Sequence, residues 1–166
     1  MSRTALGAMG VCIFVLLGTG EAHAAKVKPD AYIKKDFAPF VGKRVYSPPS
    51  PVDPDQSATE TGDAVFRVVV KNRGTQRDTF RIQAQGSLVD GGTRAIVYKG
   101  NDVTGAAEAG DFKLKRVAPG ATRQFRIVHS SGGSLEAGAT TFITATSKNN
   151  PNKSDTVRGH TPPLSP

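Results

Sequence analysis

The sequence predicts an all-β fold: a Greek-key β-sandwich of roughly seven to nine short strands. Period-two alternation in the two strands of Gly62–Gly86, GDAVFRVVVKNRGTQRDTFRIQAQG, is the first observation behind this. The second is the regular recurrence of turn signals built on Gly, Pro, Asn and Asp. The third is that no window carries a helical period across several turns. A sandwich is preferred to a barrel because aligned sheets suit strands this short.

The first residues are expected to be a signal peptide, not part of the fold. Arg3 supplies a positive start, Ala5 to Leu17 an apolar run too short to span a bilayer, and Ala22-His23-Ala24 a small-x-small cleavage pattern before Ala25. Cys12 lies within that segment, so the exported chain is expected to hold no cysteine and no disulfide. Val11 and the apolar residues after Cys12 do not fit a lipoprotein site. No second apolar run is long enough to cross a membrane.

After a lead-in over 25–28, Ala31–Lys35 forms a strand and Val41–Tyr46 another, separated by Phe37-Ala38-Pro39-Phe40. Phe37 and Phe40 are expected to pack along a strand edge. Ser47–Gln56, SPPSPVDPDQ, holds four prolines that remove backbone donors, which makes it a loop or connector. In the central hairpin Phe66, Val68 and Val70 share one face, with Arg67 and Lys71 opposite. Its second strand sets Phe80, Ile82 and Ala84 against Arg81, Gln83 and Gln85. The link Asn72–Gln76 contains Asn and Gly, which tolerate the positive φ of a tight turn.

Asp90-Gly91-Gly92 is a turn, Ala95–Tyr98 a strand and Lys99–Asp102 a second turn, with Val103-Thr104 opening a short edge segment. Asp111–Val117 alternates Phe112 and Leu114 with Lys113 and Lys115; Pro119-Gly120 is a turn; Arg123–His129 places Phe125 and Ile127 on one face. Ser130–Gly138 is a glycine-rich loop, Thr140–Ser147 a strand of β-formers and Asp155–Arg158 the last strand. Residues 160–166 form a proline-rich tail. Asp78 and Asp155 are expected to close local turns on backbone NH groups.

Function is constrained mostly by exclusion. The formal net charge is +8, spread along the chain, which favours weak, salt-dependent attraction to anionic polymers and surfaces. Nucleophilic catalysis needs a base beside a hydroxyl. His129 at a strand end lies next to Ser130-Ser131, but neighbouring strand residues point to opposite faces, and His160 is in the tail. The carboxylates sit in turns, not in a facing pair. Asp53-Pro54-Asp55, Asn101-Asp102 and Asn149-Asn150 offer oxygens to Ca²⁺ without a recognisable ligand loop. No catalytic residue, metal site or cofactor is therefore assigned. Arg67, Lys71, Arg81 and Arg126 are expected to share an outer sheet face with no aromatic between them, which suits polyanion contact better than base reading.

Several segments taken in order, PDAYIKK, VGKRVY, FRVVVKNRGTQRDTFRIQA, IVYKGNDVT, LKRVAPGATRQFRIV and ITATSKNNPNKSDTVR, resemble an immunoglobulin-like repeat of exported bacterial cell-surface and secreted proteins, over roughly residues 29–159. The resemblance implies a sandwich without catalysis, serving a structural, adhesive or protein-interaction role at the cell surface or in the medium. A cell-envelope polymer or a surface protein would be its partner. A polyanion- or glycan-binding module using the basic face is the rival expectation, and a small hydrolase the remote one.

Overall fold

The computed structural model describes residues 28–46, 57–89, 91–132 and 138–163. The expected signal peptide, Cys12, the proline-rich connector and much of the glycine-rich loop lie outside the described residues. Among these residues eleven strands and one short helix follow in chain order. They are β1 Pro29–Lys35, β2 Ser57–Thr59, β3 Ala64–Asn72, β4 Asp78–Gln85, β5 Leu88–Val89, β6 Thr93–Tyr98 and β7 Asn101–Asp102. Then come α1 Thr104–Glu108, β8 Phe112–Val117, β9 Thr122–Ser130, β10 Gly138–Ser147 and β11 Ser154–Thr161. The count exceeds the expected range because β2, β5 and β7 are pieces of two or three residues.

The strands form two sheets. The first runs β1-β3-β9-β6-β7 and the second β2-β11-β10-β4-β8, with β5 added on β10. All pairings are antiparallel except β2 with β11. One apolar cluster joins the sheets: Ile33, Phe66, Val68 and Phe125 come from the first, Phe80, Ile82, Leu114 and Ile143 from the second. Closeness across the core is marked at Gly159 of β11, where a Cβ would stand 3.1 Å from the Phe66 ring. A side chain at this position would press on that ring.

The alternation in β3 and β4 is as expected: Phe66, Val68, Val70, Phe80, Ile82 and Ala84 are all buried, and Arg67 and Arg81 exposed. Their expected hairpin is not formed. β3 and β4 belong to different sheets, and the link between them is a crossover. Neither Asn72 nor Gly74 takes a positive φ. Asn72 instead acts through its buried side chain, whose Nδ2 donates to Gln76 O at 2.7 Å and Val117 O at 2.9 Å, while its Oδ1 accepts from Gly74 N at 2.8 Å. Gly120 does adopt φ 74 in the turn after Pro119, and its N–H donates to Asn72 O at 2.8 Å. The crossover and the β8–β9 turn are thus tied to one residue.

Other expectations are also corrected. Val41–Tyr46 is no strand: Val41 makes a single bridge to Ile33, and the chain then turns. The bridge closes a tight loop on β1, and among the described residues no further pairing extends it. Val103-Thr104 leads into α1 because the Asp102 carboxylate accepts from Thr104 N at 2.8 Å and the following alanines favour helix. Gly110, at φ 74, ends it. β11 continues through His160 and Thr161, which pair with Thr140 and Ala139, so these residues are strand and not tail.

Asp78 and Asp155 do bind the following NH groups, of Thr79 at 2.6 Å and Thr156 at 3.0 Å. Each also reaches a distant element. Asp155 accepts from Ala31 N at 2.6 Å, and Asp78 from Ser147 Oγ at 2.6 Å.

Candidate anion-binding cleft

β8 is an edge strand of the second sheet, with Phe112, Leu114 and Val117 turned to the core. Lys113 and Lys115 therefore point outward. Register adds a third cation. Asp78 pairs with Val117 and Phe80 with Leu114, so β8 advances one residue more than β4 between these pairs. This β-bulge puts Lys115 and Arg116 next to each other on the outside. Arg116 adopts φ 54, and its N–H donates to Thr79 Oγ1 at 3.3 Å.

Next along the sheet, Arg81 of β4 pairs with Lys113 on one side and Thr146 of β10 on the other. Lys148, just past β10, is held by its N–H on Thr79 O at 2.9 Å. Together these residues line a cleft of about 420 Å³ with Thr79, Thr146 and Ser147 on its floor and Pro151 at its rim. Five cations line it and no carboxylate does. Among the described residues none of the five forms an ion pair. Asp78, beneath the floor, is buried and saturated by Thr79 N, Ser147 Oγ and Asn149 N. Five uncompensated cations on one surface raise each other's energy, and an anion in the cleft relieves that repulsion.

The four basic residues expected to share a face do not. Arg67 and Lys71 lie on β3 and Arg126 on β9, both in the first sheet, whereas Arg81 is in the second. Assigning one face requires knowing which strands share a sheet, and the crossover at Asn72 reverses that assignment. On the first sheet Arg67 and Arg126 are directly paired and line a groove of about 380 Å³ with Lys99, Val97 and Gln124. Arg67 is already engaged there, its Nε 3.1 Å from Asp36 Oδ1. Lys113, Lys115, Arg116 and Lys148 were not among the expected site residues. The signal for three of them was legible as KLKR, a strand alternation broken by one extra basic residue.

The other candidates fall to structural roles. His129 is 1 % exposed, its Nδ1 2.8 Å from Thr161 Oγ1 and its Nε2 2.8 Å from Thr141 Oγ1. Burial, with smaller contributions from the Arg94 and His160 charges, pushes its pKa down to about 4, so the ring is neutral at pH 7. The Ser130 and Ser131 hydroxyls donate to Asp63 at 3.2 and 3.0 Å. Donation from the Ser131 N–H, more than from the hydroxyls, holds the Asp63 carboxyl below its usual range. Among the described residues no group of three or more His, Cys, Asp or Glu is placed to hold a metal ion. Asp102 accepts from the Thr104 hydroxyl and N–H, and the Asn150 amide oxygen accepts from Asn152 N at 3.2 Å. Asp53 and Asp55 lie outside the described residues. No helix among the described residues is long and apolar enough to cross a membrane.

Comparison with known proteins adds little. No family model matches the chain, and no curated protein matches it. Among solved structures it is similar to a secreted serine protease, VesC, from Vibrio cholerae, at 11% identity and a TM-score of 0.36, over 64% of this chain and 20% of that one. The chain thus spans about a fifth of the length of that protein.

Proposed function

We propose that this chain is an exported, non-catalytic immunoglobulin-like sandwich module that attaches to an anionic polymer of the cell envelope through the cleft on β4, β8 and β10. The observation that carries the reading is the cleft lining: five cations, three hydroxyl residues and no carboxylate. An extended polymer with repeated anionic groups fits a lining drawn along strands, where outward residues recur about every 7 Å. Absence of an aromatic from the lining argues for charge contact over stacking on sugar rings.

The non-catalytic part rests on His129, neutral and enclosed by two threonine hydroxyls, and on the two serines turned to Asp63. Support for the Greek-key part is the way β3–β4 and β8–β9 each change sheet between consecutive strands. Export rests on the expected signal peptide.

Retention of the chain on immobilised polyphosphate and on isolated envelopes, measured across a salt series, tests the binding. Exposed charges at contact contribute roughly 1 kcal/mol each at low salt, so Arg81→Glu with Lys113→Glu and Lys115→Glu should weaken retention by at least about 100-fold. Unchanged retention in the triple variant would sink the cleft as the binding site.

A further inference from the structure

The loop that closes on β1 presents an aromatic ring to solvent in a way the fold does not require. Val41 and Ile33 exchange backbone hydrogen bonds at 3.0 and 2.8 Å, so residues 34–40 form a tight projecting tip. At its apex the Ala38 N–H donates to Lys35 O at 3.2 Å, which puts Phe37 at the third position of the turn. There Phe37 adopts φ 63 and is 103 % exposed. The expected strand-edge packing holds only for Phe40, whose ring meets Tyr32 edge-on with centroids 5.1 Å apart. A bulky residue in the left-handed region is an outlier, where glycine would be free of strain. The backbone strain and the bare ring occur at the same residue, and neither serves the core.

The surroundings indicate what covers the ring. Two ion pairs tie the tip to the rest of the fold, Asp36 with Arg67 at 3.1 Å and Lys35 with Glu60 at 3.1 Å, and the first neutralises the tip's own carboxylate. Lys34 lies over the Phe40 ring, 5.1 Å from its centroid. Lys43 and Arg44 follow as exposed cations, Arg44 also at positive φ, and Tyr46 is partly exposed under Lys28. A lone apical ring with exposed cations in the same loop lacks the broad flat area of a stable protein interface. It does match the boundary of an anionic bilayer, where an aromatic enters the headgroup layer and basic residues meet lipid phosphates.

We propose that the 34–46 loop docks the protein peripherally on anionic lipid surfaces, with Phe37 inserting and Lys34, Lys43 and Arg44 contacting headgroups. This does not rest on the cleft. Register places Lys35 opposite Phe66 near the start of β3, whereas the cleft neighbours the Asn72 end through Val117. The module would then have a lipid contact at one end and a polymer contact at the other.

The chain has no tryptophan, so one introduced indole reports its own surroundings. The test uses Phe37→Trp in the chain as the expressing cell releases it, with vesicles of phosphatidylcholine alone or with a third phosphatidylglycerol. Leu88→Trp, at an exposed position on the other sheet, is the control. The expected result is a blue shift and quenching by brominated lipid for Phe37→Trp on anionic vesicles only. Phe37→Ser should lower vesicle partition at least tenfold, and Lys34→Gln with Lys43→Gln should lower it threefold or more. The cleft triple variant should leave the Phe37→Trp shift in place, which separates failure of one site from failure of the other. No shift, an equal shift for Leu88→Trp, or a shift produced by lipid-free envelope proteins instead of vesicles would overturn the proposal.

Discussion

The outer faces of the two sheets carry similar basic residues and differ in what those residues already hold. On the first sheet Lys34, Arg67 and Arg126 stand in one cross-strand row, yet Arg67 is paired with Asp36. On the second, Arg81, Lys113, Lys115, Arg116 and Lys148 surround one cleft with no carboxylate in its lining. Counting cations would rate the faces nearly alike. Counterions distinguish them, because a cation already paired gains little from a second anion. The bulge on β8 adds to the difference by doubling the outward basic residues over a single step.

The strongest way to break the comparison is to remove the sheet beneath one face. Gly86 sits at φ 142, and a Cβ there would lie 1.8 Å from Thr140 O on β10. Gly86→Ala should force the β4–β10 seam apart and cost roughly 3–4 kcal/mol, read as a lower denaturant midpoint. A midpoint within error of the parent would mean the seam is not as close as described.

Charge reversal on the first face is the direct contrast with the cleft triple variant. Arg67→Glu with Arg126→Glu should change polyphosphate retention less than about threefold, since Arg67 is already neutralised by its partner. A loss as large as that of the cleft variant would put the site on the first sheet.

Acid should act on both faces together. His129 lies between the sheets and has a folded pKa of about 4, below its unfolded value near 6.5. Below pH 6.5 the unfolded chain binds the extra proton and the folded chain does not, so stability falls as pH drops through the 6.5–4 window and is fully present above it. Between pH 7 and pH 5 the contribution lost is about 2 kcal/mol. Chemical denaturation at the two pH values should show this loss in the parent and a flatter response in His129→Gln. Retention at pH 5 must therefore be compared at equal folded fraction.

The smallest effect expected is at the Asp36–Arg67 pair. Asp36→Asn should release Arg67 and raise retention on the first face by no more than about threefold, measured in the cleft triple variant, where that face acts alone. A fall would show that Asp36 orders the groove more than it masks its charge.

Much of the molecule was legible because its rule is local. Burial in β4, in β9 and in β8 up to its bulge follows a period of two whatever sheet the strand joins, so Ile82, Leu114 and Ile127 could be placed inward from neighbours alone. The KLKR run is local too, but its bulge shows only when β4 supplies the register. Asn72-x-Gly74 illustrates the limit. Asn-Gly chemistry is a turn signal, yet here the Asn side chain bonds to Val117, 45 residues away, and the turn becomes a crossover. Nor could the partners of His129 be read from its neighbours, since the hydroxyls that enclose it come from β10 and β11.

The amino-acid sequence by itself determined that the chain would be β, which residues would form its core and that its surface would be basic, because strand alternation and composition are properties of neighbouring residues. Only the tertiary structure decided that β3 and β4 lie in different sheets, that Arg81 is grouped with β8 instead of with Arg67, and that Phe37 is left bare at a strained tip. These depend on contacts between residues far apart in the chain, and electrostatic pairing depends on distance in space, which spacing along the sequence does not encode.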